Sequence, residues 1–129
     1  MDNKGKRILI VEDDQFLREF YQELLSDEGY SVDVAPDGAI ASEKVQQGGY
    51  HLVLLDIMLP KKDGLQILRD AKITPPTHPN GVIVMLTNLG QDSIIKEAFQ
   101  LGAAGFMVKS ALNPDQVLSE IHNYLAKVK

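Results

Sequence analysis

Four short stretches of this chain end in side chains able to do chemistry. The apolar run ILIV (8–11) stops at three consecutive acids, Glu12, Asp13 and Asp14, and LVLL (52–55) stops at a single carboxylate, Asp56. VIVML (82–86) stops at Thr87 and Asn88, and GFMV (105–108) at Lys109 and Ser110. Two unit charges about 4 Å apart repel by something like 4 kcal/mol at an effective dielectric of 20, so acids gathered at one place require a cation. Oxygen ligands, few and mostly carboxylate, suit magnesium, which keeps several waters and accepts phosphate oxygens to complete its shell. A carboxylate fixed beside such an ion, with a hydroxyl and an ammonium in reach, is equipped to attack a phosphoryl group and become an aspartyl phosphate. Asp56, at the mouth of a run that looks buried throughout, is the candidate nucleophile.

What gathers these groups is the pattern behind them. The runs at 8–11, 52–55 and 82–86 are continuously apolar, as strands buried on both faces require; SVDVA (31–35) alternates like an edge strand, and 105–108 makes a weaker fifth. Helical spacing of Phe16, Leu17, Phe20, Tyr21, Leu24 and Leu25 predicts a first helix ending at Gly29, with Asp14 as its cap. A second is expected over about 38–47, a third after a capping Asp63 until TPPTHPNG (74–81) breaks it, a fourth over roughly 92–101, and a fifth from Asn113 with Pro114 in its first turn. Strand and helix alternate five times, the signature of a parallel sheet covered by helices, in which the ends of successive strands share one edge.

Composition narrows the function classes. The chain has 129 residues, 44% hydrophobic and 24% charged, which suits one globular domain with a real core. No apolar stretch approaches the twenty or so residues that span a bilayer, and the run behind the slightly basic N-terminus is too short for a signal peptide, so a cytoplasmic protein is expected. The absence of cysteine excludes disulfides and thiolate chemistry. A net charge of −5 argues against direct nucleic-acid binding.

ILIVEDD (8–14), LVLLDIMLPKKDG (52–64), VIVMLTN (82–88) and AAGFMVKS (103–110), in this order and spacing, resemble the receiver domain of two-component response regulators over nearly the whole chain. The resemblance implies a flavodoxin-like, doubly wound α/β fold, its five parallel strands in the order 2-1-3-4-5 between five helices, as a single receiver domain over 1–129 with no output domain. It implies a phosphoacceptor at Asp56, Mg²⁺ held by Asp13, Asp56 and the Met58 carbonyl with Glu12 acting through a water, and phosphoryl oxygens held by Thr87 and Lys109. It further implies that Phe106 moves when Thr87 moves, and that the donor is a sensor histidine kinase or a histidine phosphotransfer protein. The readout surface would be the fourth helix, fifth strand and fifth helix, meeting a downstream protein or a second copy. Self-phosphorylation apart, no enzyme activity is implied. One departure is Ser110, where the family usually has a proline joined in cis. A cis bond to serine costs about 3–4 kcal/mol, so the Lys109–Ser110 bond is expected to be trans, or else held cis by strain in the loop.

Blander roles compete at several positions. Aspartate at a strand end is commonly a turn residue, and only the company of Glu12, Asp13, Thr87 and Lys109 singles out Asp56. Phe106 alone would be read as packing. His51, His78 and His122 share no ligand spacing, and Lys61 and Lys62 read as a solvated turn. Ile94, Ile95, Ala98, Phe99 and Leu101 form an apolar band wide enough for a partner or for a generous core. Among other functions, a phosphatase or phosphotransferase usually carries a second acid two residues after the nucleophile, where this chain has Met58. A flavin- or nucleotide-binding module needs a glycine- or hydroxyl-rich first loop, where this chain has EDD. A degenerate receiver that only docks partners would not need the intact acceptor.

Overall fold

The computed structural model describes residues 5–88, 92–109 and 113–127. Ten elements alternate: β1 (Arg7–Val11), α1 (Gln15–Asp27), β2 (Ser31–Ala35), α2 (Gly38–Gln47), β3 (Leu52–Asp56), α3 (Gly64–Ile73), β4 (Val82–Thr87), α4 (Asp92–Gln100), β5 (Gly105–Val108) and α5 (Pro114–Leu125). The strands pair in parallel in the order β2-β1-β3-β4-β5, the arrangement expected from the sequence.

The continuous apolar runs become the middle of this sheet because both of its faces are covered. Every residue of β3 is buried, whereas β2, at one edge, is only half-buried along most of its length. Two cores follow from alternation along the strands. Leu9, Val11, Val53, Leu55 and Met85 point to one side with α2, α3 and Ala98 of α4; Ile8, Ile10, Leu52, Leu54 and Val84 point to the other with Tyr21, Leu25, Val117 and Ile121. Ile94, Ile95 and Leu101 pack against the first core, so most of the apolar band of the fourth helix is inward packing, and Phe99 is its exposed remainder.

Helix starts are fixed by side-chain oxygens. Asp14, Asp37, Asp63 and Asn113 accept from the amides of Leu17, Ile40, Gln66 and Gln116 at 2.9 to 3.2 Å, each satisfying a donor that the first helical turn leaves without a partner. Gly29, at φ 97°, ends the α1 turn in a conformation that side chains rarely adopt. Among the described residues no helix is long and apolar enough to cross a membrane.

Two loops carry more structure than the sequence suggested. The 74–81 segment returns to the end of α2, where the amides of Thr77 and His78 and the Asn80 side chain donate to the Gln46, Gln47 and Val45 carbonyls. Lys61 and Lys62 are not simply solvated: Lys61 pairs with Asp37 at 3.4 Å, and Lys62 pairs with Asp70 and donates to Ser42 Oγ. The histidines take local roles, with His51 Nδ1 accepting from the Arg7 amide and His122 tilted against Tyr30. The Lys109–Ser110 peptide bond lies outside the described residues.

Candidate functional site

Strand register brings the singled-out residues to one edge. Val11 of β1 is the partner of Leu55 of β3, so the residues that follow them, Glu12 and Asp56, lie side by side. Thr87 of β4 is the partner of Val108 of β5, and the next residue, Lys109, donates its amide to the Thr87 carbonyl. Glu12, Asp56 and Thr87 are all but inaccessible to solvent, whereas Asp13 is exposed.

The side chains converge. Lys109 Nζ lies 2.5 Å from Asp56 Oδ2 and 3.1 Å from Glu12 Oε1, bridging two buried carboxylates. Asp56 Oδ1 accepts the Met58 amide at 3.1 Å, and Glu12 Oε2 accepts the Asp14 amide at 3.0 Å. Carboxylate oxygens of Glu12, Asp13 and Asp56 lie within 4.8 Å of one another. Among the described residues, Glu12 Oε1 is buried and accepts no hydrogen bond, although the ammonium is near. An oxygen-only donor set with one unfilled buried acceptor fits a hard divalent cation.

Burial dominates the electrostatics. It pushes Glu12 up to about 7, against the hydrogen bond from the Asp14 amide and with added repulsion from Asp56. It also raises Asp56, opposed by the hydrogen bond from Lys109. For Lys109 burial alone would lower the ammonium's pKa, yet the hydrogen bond and charge of Asp56, with those of Glu12, carry it above its usual value. Tyr21, buried in the second core, is pushed up to about 12 by burial and then by the charges of Glu12 and Asp56. Each carboxylate thus resists ionisation without a positive partner.

Thr87 is buried at the end of β4, whereas Phe106 is on β5. The Thr87 hydroxyl donates to the Asn88 carbonyl at 2.9 Å. Phe106 is 40% exposed and meets Phe99 edge-on, with ring centroids 6.4 Å apart. The Met58 side chain is also exposed, so that residue faces the site through its backbone amide.

Sequence reading missed two supports. Arg18 Nη1 donates to the Glu12 carbonyl at 2.9 Å and the Asp13 carbonyl at 3.3 Å. The Gly38 amide, at the start of α2, donates to the Pro60 carbonyl of the loop that follows Asp56. A basic residue one turn past the acids was the available signal for the first; nothing local marks the second.

A family model described as response regulator receiver domain matches residues 8–122. The chain is 41% identical over 115 residues to the transcriptional regulatory protein DltR of Streptococcus agalactiae serotype III (strain NEM316), covering 89% of this chain and 50% of that protein. It is 36% identical over 120 residues to the chemotaxis protein CheY of Bacillus subtilis (strain 168), covering 92% and 97%. It thus spans half the length of DltR and nearly all of CheY. A solved structure, the response regulator receiver domain protein (CheY-like) from Methanospirillum hungatei JF-1, matches with a TM-score of 0.83 at 29% identity, over 95% of this chain and 94% of that one. With the family match running from β1 into α5, the chain belongs to the response regulator receiver domain family of two-component signalling systems.

Proposed function

We propose that this receiver accepts a phosphoryl group on Asp56 from a phosphohistidine donor, either a sensor histidine kinase or a histidine phosphotransfer protein, in a magnesium-dependent reaction. The observation that carries the reading is the meeting of Lys109 with both Asp56 and Glu12 at a strand-end edge. A carboxylate oxygen of Asp56 forms a bond to phosphorus as the phosphorus–nitrogen bond breaks, and the leaving imidazole keeps the electron pair and takes up a proton. Asp13, Asp56 and the Met58 carbonyl would hold the metal, with Glu12 acting through a water; the carboxylates of Glu12, Asp13 and Asp56 lie close enough together for this. When bound, Mg²⁺ supplies positive charge against the equatorial oxygens of the transferring group.

The chain's own residues do the rest. Burial in β3 and the Met58 amide fix Asp56, which lowers the entropic cost of aligning it with phosphorus. The Lys109 ammonium, already beside Asp56, offsets charge on the transferred oxygens, and the Thr87 hydroxyl donates to one of them. Movement of Thr87 and Phe106 then alters the α4-β5-α5 surface for a downstream protein or a second copy of the chain, by biasing an element that has two arrangements. The chain turns over only its own aspartyl phosphate, acts as one receiver domain, and works in the cytoplasm without contacting nucleic acid directly.

The test is incubation with a small acyl phosphate and Mg²⁺, followed by intact mass. One added phosphoryl group is expected, lost on chelation and in Asp56→Asn. A folded sample that gains none retires the reading and leaves a module that only docks partners.

A further inference from the structure

Arg18 lies in the first part of α1, within six residues of three acids, yet its guanidinium turns to backbone: Nη1 is shared between the Glu12 and Asp13 carbonyls. The acids nearby have other partners. The Glu12 carboxylate takes the Asp14 amide and faces Lys109, and the Asp14 carboxylate takes the Leu17 amide as the cap of α1.

We propose that Arg18 is a positioning residue, holding the turn at 12–14 in the backbone shape that aims the Glu12 and Asp13 carboxylates at Asp56. Its consequence for metal binding rests on the function proposed above. Asp13 is exposed, so the direction of its side chain depends on its own backbone more than on packing. Magnesium tolerates little error in ligand position, because it demands near-ideal octahedral geometry. A guanidinium is always charged and donates in a fixed plane, so one that grips consecutive carbonyls fixes the peptide between them. Partners of this kind, acting on a ligand rather than on the ion, are where metal affinity is often lost by mutation.

Charge and positioning predict opposite signs. Arg18 is a cation close to a cation site, so by charge alone its removal should tighten Mg²⁺ binding. By positioning, removal should weaken it.

The experiment is Mg²⁺ titration by calorimetry on wild type, Arg18→Gln and Asp13→Asn, with amide hydrogen exchange at Asp14 in the metal-free proteins and thermal unfolding as the check on folding. Arg18→Gln is expected to keep its fold, bind Mg²⁺ about tenfold more weakly, and exchange the Asp14 amide faster. Equal or tighter binding by a folded Arg18→Gln overturns the proposal while leaving the metal reading intact. If wild type itself binds no Mg²⁺, the metal reading fails, and exchange alone decides: acceleration upholds Arg18 as the organiser of the turn, and an unchanged rate overturns it.

Discussion

Lys109 Nζ lies 2.5 Å from Asp56 Oδ2, although the two residues are 53 positions apart in the chain. The edge strand β5 ends beside Thr87 of β4, and β4 in turn pairs with β3, so the lysine reaches across the end of one strand to the carboxylate on the next. Replacing it leaves Glu12 and Asp56, both buried, facing each other without the ammonium. Lys109→Met is expected to slow phosphoryl uptake from a small acyl phosphate roughly a hundredfold, the usual effect of deleting one charge-stabilising donor. A time course of intact mass measures this. An unchanged rate would show that the ammonium takes no part in transfer.

Gly38 is constrained by space rather than by conformation. A Cβ there would sit 1.7 Å from the Lys62 carbonyl oxygen, and its amide already donates to Pro60 at 3.1 Å. Gly38→Ala must therefore push the loop after Asp56 away from α2, with an expected loss of about 2 kcal/mol in urea unfolding and slower phosphoryl uptake. Gly102 is the control. Its φ is 107°, but among the described residues no atom beyond its chain neighbours lies within 4 Å of the added carbon, so Gly102→Ala should cost about 1 kcal/mol of backbone strain and leave uptake unchanged. Equal effects of the two substitutions on uptake would remove α2 from the account of the site.

Most of the fold was legible because its signals are local and redundant. Runs such as 52–55 and 82–86 are too apolar and too short to be anything but strands in a covered sheet, and Asp14, Asp63 and Asn113 mark helix starts by one hydrogen bond each. The convergence of Glu12, Asp56 and Lys109 was legible for a different reason: once the sheet is parallel, every strand end lies on one edge. Contacts that depend on how loops return were not. Thr77, His78 and Asn80 cap α2 from about thirty residues away, and Lys62 joins α2 to α3, through backbone geometry that no periodicity encodes. Arg18 was hidden because an arginine on a helix after three acids looks like an ion-pairing residue, whereas its donors take carbonyls.

Asp37 ties stability to acid pH. The hydrogen bond from the Ile40 amide, outweighing burial and aided by Lys61, holds its carboxyl below the ordinary value of 3.8. A carboxylate depressed in the folded state contributes stability that is complete above the unfolded value and is lost as pH falls through the folded one. Asp37→Asn keeps a capping oxygen but has no charge to lose. The difference in Tm between wild type and Asp37→Asn should therefore be largest near neutral pH and narrow below pH 3.8. A difference independent of pH would mean that the charge of Asp37 contributes nothing.

Phe106 gives a direct optical test of the switch. Its ring is 40% exposed on edge strand β5, meeting Phe99 edge-on, while Thr87 on the neighbouring strand donates to Asn88. A phosphoryl group on Asp56 would offer the Thr87 hydroxyl a charged acceptor, and hydrogen bonds to ionised acceptors are shorter and roughly twice as strong as neutral ones. The hydroxyl should then turn toward Asp56, and the aromatic ring should follow into the space released. Since the chain contains no tryptophan, Phe106→Trp introduces a single reporter. Its emission is expected to shift to the blue when a small acyl phosphate and Mg²⁺ are added, as the indole leaves water, and to stay fixed in an Asp56→Asn background. Unmoved emission from a sample that intact mass shows to be phosphorylated would mean that the ring does not follow the threonine.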